Sequence, residues 1–289
     1  MKISEKLCSS SPIFSFEFFP PKNSEGFATL YETIARLKSS DPGFVSVTYG
    51  AGGTTRSKTV DLVGNIKSAI GIESMAHLTC VGHNEHEIYS VLESLHERNI
   101  ENVLALRGDP PQGEEKFIKT KGGFEYGNEL VSFIKKNFSF CIGAACYPEG
   151  HIECKDLDKD IENLKRKVDS GVDFLVTQLF FDNQNYFKFL DRVQAAKINI
   201  PIIPGIMPIL NLKQMQRFTR MCGANLSPSL LGKFKGVEDD NEKVREIGIF
   251  HAIEQCRELL KYKVPGIHFY TLNRSKATLN ILDALRDFK

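Results

Sequence analysis

The sequence predicts an α/β protein, a single (β/α)8 TIM barrel with an extra helix before the eighth strand. Three observations predict it. Short apolar or β-branched runs recur along the whole chain, each is followed by a longer stretch of helical periodicity, and polar side chains gather where the apolar runs stop. No Pro/Gly/Ser-rich linker divides the chain, so residues 1–289 are expected to form one barrel domain rather than two doubly wound domains.

The elements follow in order. A first strand is expected at 13–18, stopped by Pro20 and Pro21, and a helix at 25–38. The second strand, 44–48, runs into the glycine-rich turn Gly50-Ala51-Gly52-Gly53, where Thr54 or Thr55 suits the cap of a helix at 55–69. Strand 74–78 precedes a helix at 84–98, and strand 102–106 precedes an irregular stretch, 108–124, and a helix at 127–136. Strand 139–144 leads to a helix at 157–170, where Leu157, Ile161, Leu164 and Val168 make one apolar stripe. Strands 173–179 and 200–206 are followed by helices at 183–196 and 211–221. After a second irregular stretch, 223–235, the additional helix spans 240–261. Strand 266–270 and a helix at 273–287 complete the alternation.

Composition narrows the function. With 42% hydrophobic and 25% charged residues the chain can bury a large core, and 37 basic against 36 acidic side chains leave a net charge of +1. No like-charge block suits a nucleic-acid arm or a polybasic membrane anchor, so small-molecule chemistry is expected. Seven cysteines, an odd number without a Cys-x-x-Cys pair, fit reduced thiols. The first twelve residues hold no apolar signal core and no run of apolar residues reaches membrane-spanning length, so a cytoplasmic protein is expected. Cys141, Cys146 and Cys154 match no common zinc spacing and the histidines have no ligand partner at helical spacing, so no metal is expected. No Gly-x-Ser-x-Gly elbow is present.

Barrel active sites are built on the C-terminal ends of the strands. Glu17, Thr48, His77, Arg107, Asp109, Tyr147, Gln178 and Tyr270 all fall at or just past such ends. Glu17 is flanked by Phe16 and Phe18, which a strand turns to the opposite face. If Glu17 points into the barrel, desolvation raises its pKa and suits it to general-acid work; pairing with an interior Lys or Arg is the structural alternative. Arg107-Gly108-Asp109 is either a ligand-contacting loop or a local turn closed by an Arg and Asp ion pair. The turn after the second strand suits a phosphate or is a plain tight turn, and it matches neither the P-loop nor the Rossmann pattern. On helix 157–170, Asp160, Asn163, Arg166 and Lys167 read as a solvated face on composition alone. His83, His86 and His96 are expected to face solvent.

These segments resemble the methylenetetrahydrofolate reductase family. The resemblance rests on Phe16-Glu17-Phe18-Phe19-Pro20-Pro21, Val47-Thr48-Tyr49-Gly50-Ala51-Gly52-Gly53, Leu106-Arg107-Gly108-Asp109-Pro110, Tyr147-Pro148-Glu149, Asn163-Leu164-Lys165-Arg166-Lys167, Thr177-Gln178, Pro204-Gly205-Ile206-Met207-Pro208 and His268-Phe269-Tyr270-Thr271-Leu272-Asn273-Arg274, in the family's order. It implies a cytoplasmic oxidoreductase of one-carbon metabolism and methionine supply, which carries non-covalent FAD, takes electrons from NADH or NADPH, and reduces 5,10-methylenetetrahydrofolate to 5-methyltetrahydrofolate by a ping-pong route. The resemblance implies Glu17 as general acid and Asp109 beside the pterin and flavin. It implies folate contacts from Gln178, Gln214, Phe218 and Arg274. FAD contacts are implied for Thr48, Tyr49, Ala51, His77, Arg107, Gly108, Asp109, Tyr126, Gly127, Tyr147, His151, Asp160, Asn163, Arg166 and Lys167, which replaces the solvated reading of helix 157–170. A catalytic barrel without a C-terminal regulatory domain, assembled as a homo-oligomer such as a tetramer, is also implied. Gly127-Asn128, Cys80 and Cys146 depart from the residues common in relatives and remove no proposed catalytic group. Rival readings are another FAD barrel enzyme, such as a proline dehydrogenase, and a non-catalytic flavin- or folate-binding subunit.

Overall fold

The computed structural model describes residues 1–49, 53–110 and 117–288, with 53–56 described by backbone alone. Its strands are β1 (Ile13–Phe18), β2 (Phe44–Val47), β3 (Ser74–Thr79), β4 (Asn102–Leu106), β5 (Cys141–Cys146), β6 (Phe174–Thr177), β7 (Ile202–Ile203), β8 (Gly205–Ile206) and β9 (Gly266–Tyr270). Every strand pair is parallel, in the order β7-β6-β5-β4-β3-β2-β1-β9-β8. The two end pieces, β7 and β8, are consecutive in the chain, and only Pro204 separates them. Proline has no N–H to give a ladder, so the strand expected at 200–206 is split in two, one piece pairing with β6 and the other with β9. The ring thus closes as an eight-stranded TIM barrel with one interrupted strand.

The helices are α1 (Ile3–Lys6), α2 (Ser24–Lys38), α3 (Gly53–Asn65), α4 (Glu85–Glu97), α5 (Gly127–Asn137), α6 (Leu157–Asp169), α7 (Asn183–Ala195), α8 (Leu212–Cys222), α9 (Pro228–Gly232), α10 (Asn241–Lys261) and α11 (Lys276–Asp283). The additional helix before the last strand is α10. Its start is set by Asp240, whose side chain accepts from the N–H groups of Glu242 and Lys243. The helix expected at 55–69 is α3 continued by a π turn, Ile66–Ile70. The last helix starts later than 273, because Leu272 and Asn273 hold positive φ angles of 51° and 57°, outside the helical region.

Two elements were not anticipated. Within the stretch read as irregular, α9 forms because Ser227 accepts from the Leu230 N–H and Pro228 occupies the first turn. At the N-terminus, α1 drives the fully buried Ile3 into the barrel floor, where its N–H donates to Asn102 Oδ1 at 2.8 Å.

Strand alternation sorts the side chains into two layers. Phe14, Phe16, Phe18, Val45, Val47, Val103 and Ala105 face outward and pack with Leu30, Ile34, Leu92, Leu95, Leu130 and Ile134 of the helices. Phe44, Met75, Leu104, Cys141, Phe174 and Ile203 face inward and, with Ile3, fill the lower barrel. Above this apolar plug the inward positions turn polar, and there the site begins.

Candidate active site

Ser15, Glu17, Ser46, His77, His268 and Tyr270 share the upper interior. His268 is committed: Ser15 Oγ lies 2.8 Å from Nδ1 and Ser46 Oγ 3.3 Å from Nε2. Tyr270 is committed too, its hydroxyl donating to Thr177 O at 2.6 Å. Glu17 stands between them, in register with Ser46 on β2 and Tyr270 on β9. Its Oε2 lies 3.6 Å from His77 Nε2, with side-chain exposures of 22% and 7% respectively. Burial pushes the Glu17 carboxyl up to about 8 and the His77 imidazole down to about 3, so at neutral pH both are uncharged. Among the described residues no Lys or Arg is paired with Glu17, which removes the interior-cation alternative.

Two adjoining cavities open at this end of the barrel; Glu17 lines neither, and His77 links it to the smaller. The smaller, of about 300 Å³, is lined by Thr48, Tyr49, His77, Gly108 and Asp109, with Thr79, Val81 and Pro110. The larger, of about 470 Å³, is lined by Arg107, Tyr126, Gly127, Tyr147, His151, Asp160, Asn163, Arg166 and Lys167, with Asn128, Glu153 and Cys154 among others. Five of the expected cofactor contacts thus lie on one cavity and nine on the other; the fifteenth, Ala51, lies outside the described residues. The cavities meet where Arg107 joins Gly108. Gly108 has φ of +89°, and a Cβ there would sit 2.7 Å from Val81 Cγ1, so the turn between the cavities requires glycine.

The wall chemistry differs from the sequence reading in two places. Arg107 does not close a local pair with Asp109; it donates to both oxygens of Glu153, at 2.7 Å each. Glu153 escaped the sequence reading because nothing near it in the chain marks it; only the loop after β5 folding back over Arg107 gives it a role. His83, expected in solvent, is fully buried: its Nε2 meets the Tyr49 hydroxyl at 2.9 Å and its Nδ1 meets Val81 O at 2.8 Å. The turn after β3 tucks the ring under Tyr49, which helical periodicity does not report. His86 and His96 are exposed as expected.

On α6 the polar stripe faces the larger cavity. Lys167 Nζ donates to Ala145 O at 2.7 Å, and burial lowers its pKa. Arg166 bonds to Asn163, and Asp160 accepts from the His151 N–H at 3.3 Å. The His151 ring packs edge-on against Tyr147, with centroids 4.6 Å apart. Among the described residues neither Arg166 nor Lys167 has a carboxylate ion-pair partner, and the first turn of α5 presents Gly127 and Asn128 to the same space. Two cations and a helix N-terminus around one cavity fit a polyanion such as the diphosphate of a dinucleotide. The expected folate residues are placed less decisively. Gln178 Oε1 accepts from the Leu179 N–H at 2.9 Å, Phe218 is half-buried in the cluster around Leu179 and Met215, and Gln214 and Arg274 are exposed. None of the four lines either cavity. Among the described residues no three His, Cys, Asp or Glu side chains form a metal-binding group, and no helix is long and apolar enough to cross a membrane.

The family model "Methylenetetrahydrofolate reductase" matches residues 2–286. The chain belongs to the methylenetetrahydrofolate reductase family. It is 39% identical to the Escherichia coli 5,10-methylenetetrahydrofolate reductase, covering 94% of this chain and 90% of that one. It is 41% identical to methylenetetrahydrofolate reductase 1 of Schizosaccharomyces pombe and 38% to methylenetetrahydrofolate reductase (NADH) 1 of Arabidopsis thaliana, covering 99% and 98% of this chain but 48% and 50% of theirs. The chain therefore spans about half the length of those eukaryotic members. Among solved structures, a Clostridium thermocellum protein that binds two copies of 5-methyl-5,6,7,8-tetrahydrofolic acid superposes with a TM-score of 0.65 at 15% identity, covering 99% of this chain and 98% of that one. At that identity the likeness is one of fold.

Proposed function

We propose that the chain reduces 5,10-methylenetetrahydrofolate to 5-methyltetrahydrofolate, with NADH or NADPH as donor and non-covalently bound FAD as the carrier between them. The observation that carries this reading is Glu17, a carboxyl inside the barrel mouth that stays protonated near neutral pH because burial raises its pKa to about 8. Opening the five-membered ring of the folate needs a proton on N10, and a neutral carboxyl in the barrel mouth, next to a histidine that lines the smaller cavity, can deliver it. Asp109, which lines the smaller cavity with His77, is assigned to the pterin edge by family resemblance. Gln178, Gln214, Phe218 and Arg274 are assigned to the folate by family resemblance. Arg166, Lys167 and the start of α5 hold the diphosphate, while Thr48, Tyr49, Gly108 and His77 shape the inner end of the cavity. Bound FAD supplies hydride transfer, and the protein's part is to orient each substrate and keep the acid neutral.

The test is the visible spectrum of the purified protein followed by anaerobic titration. Flavin absorbance is expected to bleach with NADH or NADPH and to return on adding 5,10-methylenetetrahydrofolate, whereas proline should not bleach it. A protein without bound flavin, or a bleached flavin that the folate fails to reoxidise, would end the proposal. Glu17→Gln should lose the folate half-reaction and keep reduction by the nicotinamide.

A further inference from the structure

Among the described residues His77 Nε2 is buried without a hydrogen-bond partner, as is Thr79 Oγ1 further along β3, whereas Ser15, Ser46, His268 and Tyr270 in the same upper barrel are satisfied. The ring is 6% exposed and anchored on β3, with its residue in register with Leu104 of β4, and it also lines the smaller cavity. The polar atom recorded beside Nε2 is Glu17 Oε2, at 3.6 Å, too long for a hydrogen bond. A buried polar atom left without a partner costs about 1–3 kcal/mol, so its position calls for a reason.

We propose that His77 is a positioning residue for the acid: its Nε2–H becomes the hydrogen-bond donor to the Glu17 carboxylate that forms when the Glu17 proton passes to the folate. The inference rests on the reductase reading above. In the step the Glu17 O–H bond breaks and an N–H bond forms on the folate N10; His77 keeps its proton and no electrons change hands. A donor aimed at charge that develops only during reaction stabilises the transition state more than the ground state, and such contacts are long in the free enzyme. Ser15 and Ser46 are bonded to His268 and the Tyr270 hydroxyl is given to Thr177 O; Thr79 Oγ1 is unpartnered, but it is His77 Nε2 that stands 3.6 Å from Glu17 Oε2. Titratable groups facing the pair are Asp109 from the loop after β4 and His268 and Tyr270 from β9. Burial keeps the His77 imidazole neutral, so it meets the carboxylate as a dipole rather than as an acid that would reprotonate it.

The experiment uses the FAD-loaded protein and follows both half-reactions across pH in wild type, His77→Gln, which keeps an N–H near the Nε2 position, and His77→Leu, which does not. His77→Leu should slow flavin reoxidation by the folate by about 10- to 100-fold. Its alkaline limb should move to higher pH, and reduction by the nicotinamide, measured at equal FAD occupancy, should lose several-fold less than reoxidation by the folate. His77→Gln should recover most of the loss. Equal rates in the Leu and Gln variants, or equal loss in both half-reactions, would overturn the inference. Should His77→Leu fail to hold FAD, the ¹⁵N shifts of His77 in the wild-type holoenzyme decide: a proton on Nε2 is expected, and a bare Nε2 would overturn it. If wild type itself shows no folate-driven reoxidation, the reductase reading fails, not this assignment alone.

Discussion

The guanidinium of Arg107 and the carboxylate of Glu153, 46 residues apart, meet through two parallel hydrogen bonds of 2.7 Å across the rim of the larger cavity. Arg107 also lies 5.1 Å from the centre of the Phe117 ring. The carboxylate is half in solvent, so the pair orients Arg107 more than it stabilises the fold. Glu153→Ala is expected to change unfolding free energy by less than about 1 kcal/mol. Arg107→Ala should weaken FAD binding to the apoprotein by at least about tenfold, the loss of a charge-assisted contact, as read by flavin fluorescence titration. Equal, large losses of stability in both variants would instead make the pair a structural clamp.

Glu17 ties function to a stability cost with a defined sign. Its folded pKa, about 8, lies above the ordinary 4.5. Below pH 4.5 the carboxyl is protonated in both folded and unfolded chains and carries no penalty. As pH rises from 4.5 to about 8 the unfolded chain ionises while the folded one does not, so stability falls, and it levels off above that. Glu17→Gln removes this dependence. Denaturant curves should show the variant gaining on wild type from pH 5 to 8, by roughly 2–4 kcal/mol at the upper end. A constant gap would show that the carboxyl is not desolvated.

Lys167 is held in the cavity wall by Ala145 O, and burial works against its charge. In Lys167→Met relief of that penalty offsets the lost hydrogen bond, so stability should shift by less than about 1.5 kcal/mol. FAD retained through purification should nevertheless fall sharply, and the residual affinity should depend less steeply on salt. Unchanged flavin content would remove Lys167 from the diphosphate site.

Two glycines report on packing. At Gly248 of α10 a Cβ would lie 1.8 Å from Ile209 O, a backbone atom that cannot yield, whereas at Gly232 nothing lies within 4 Å. Gly248→Ala should destabilise by about 3 kcal/mol or more, and Gly232→Ala should be neutral or stabilise by up to about 1 kcal/mol. Urea denaturation midpoints measure both. A neutral Gly248→Ala would mean that α10 does not press on the loop after β8.

The sequence by itself determined what depends on neighbours along the chain. The two-residue alternation of Phe16, Glu17 and Phe18 put the carboxyl on the face opposite the two rings, and the eight apolar runs set the barrel; that this face is the interior, and that Pro204 splits the strand expected at 200–206, came with the structure. Resemblance grouped Asp160, Asn163, Arg166 and Lys167 with residues that line the same cavity, although composition alone had left them in solvent. Only the tertiary structure decided the rest: that Arg107 answers to Glu153 and not Asp109, that His83 lies under Tyr49, that Ile3 seals the barrel floor, and that Glu17 faces a neutral imidazole instead of a cation. Periodicity is a local property that the backbone imposes every two or four residues. Pairing and desolvation are set by side chains tens to hundreds of positions away, and those distances exist only once the ring of strands has closed.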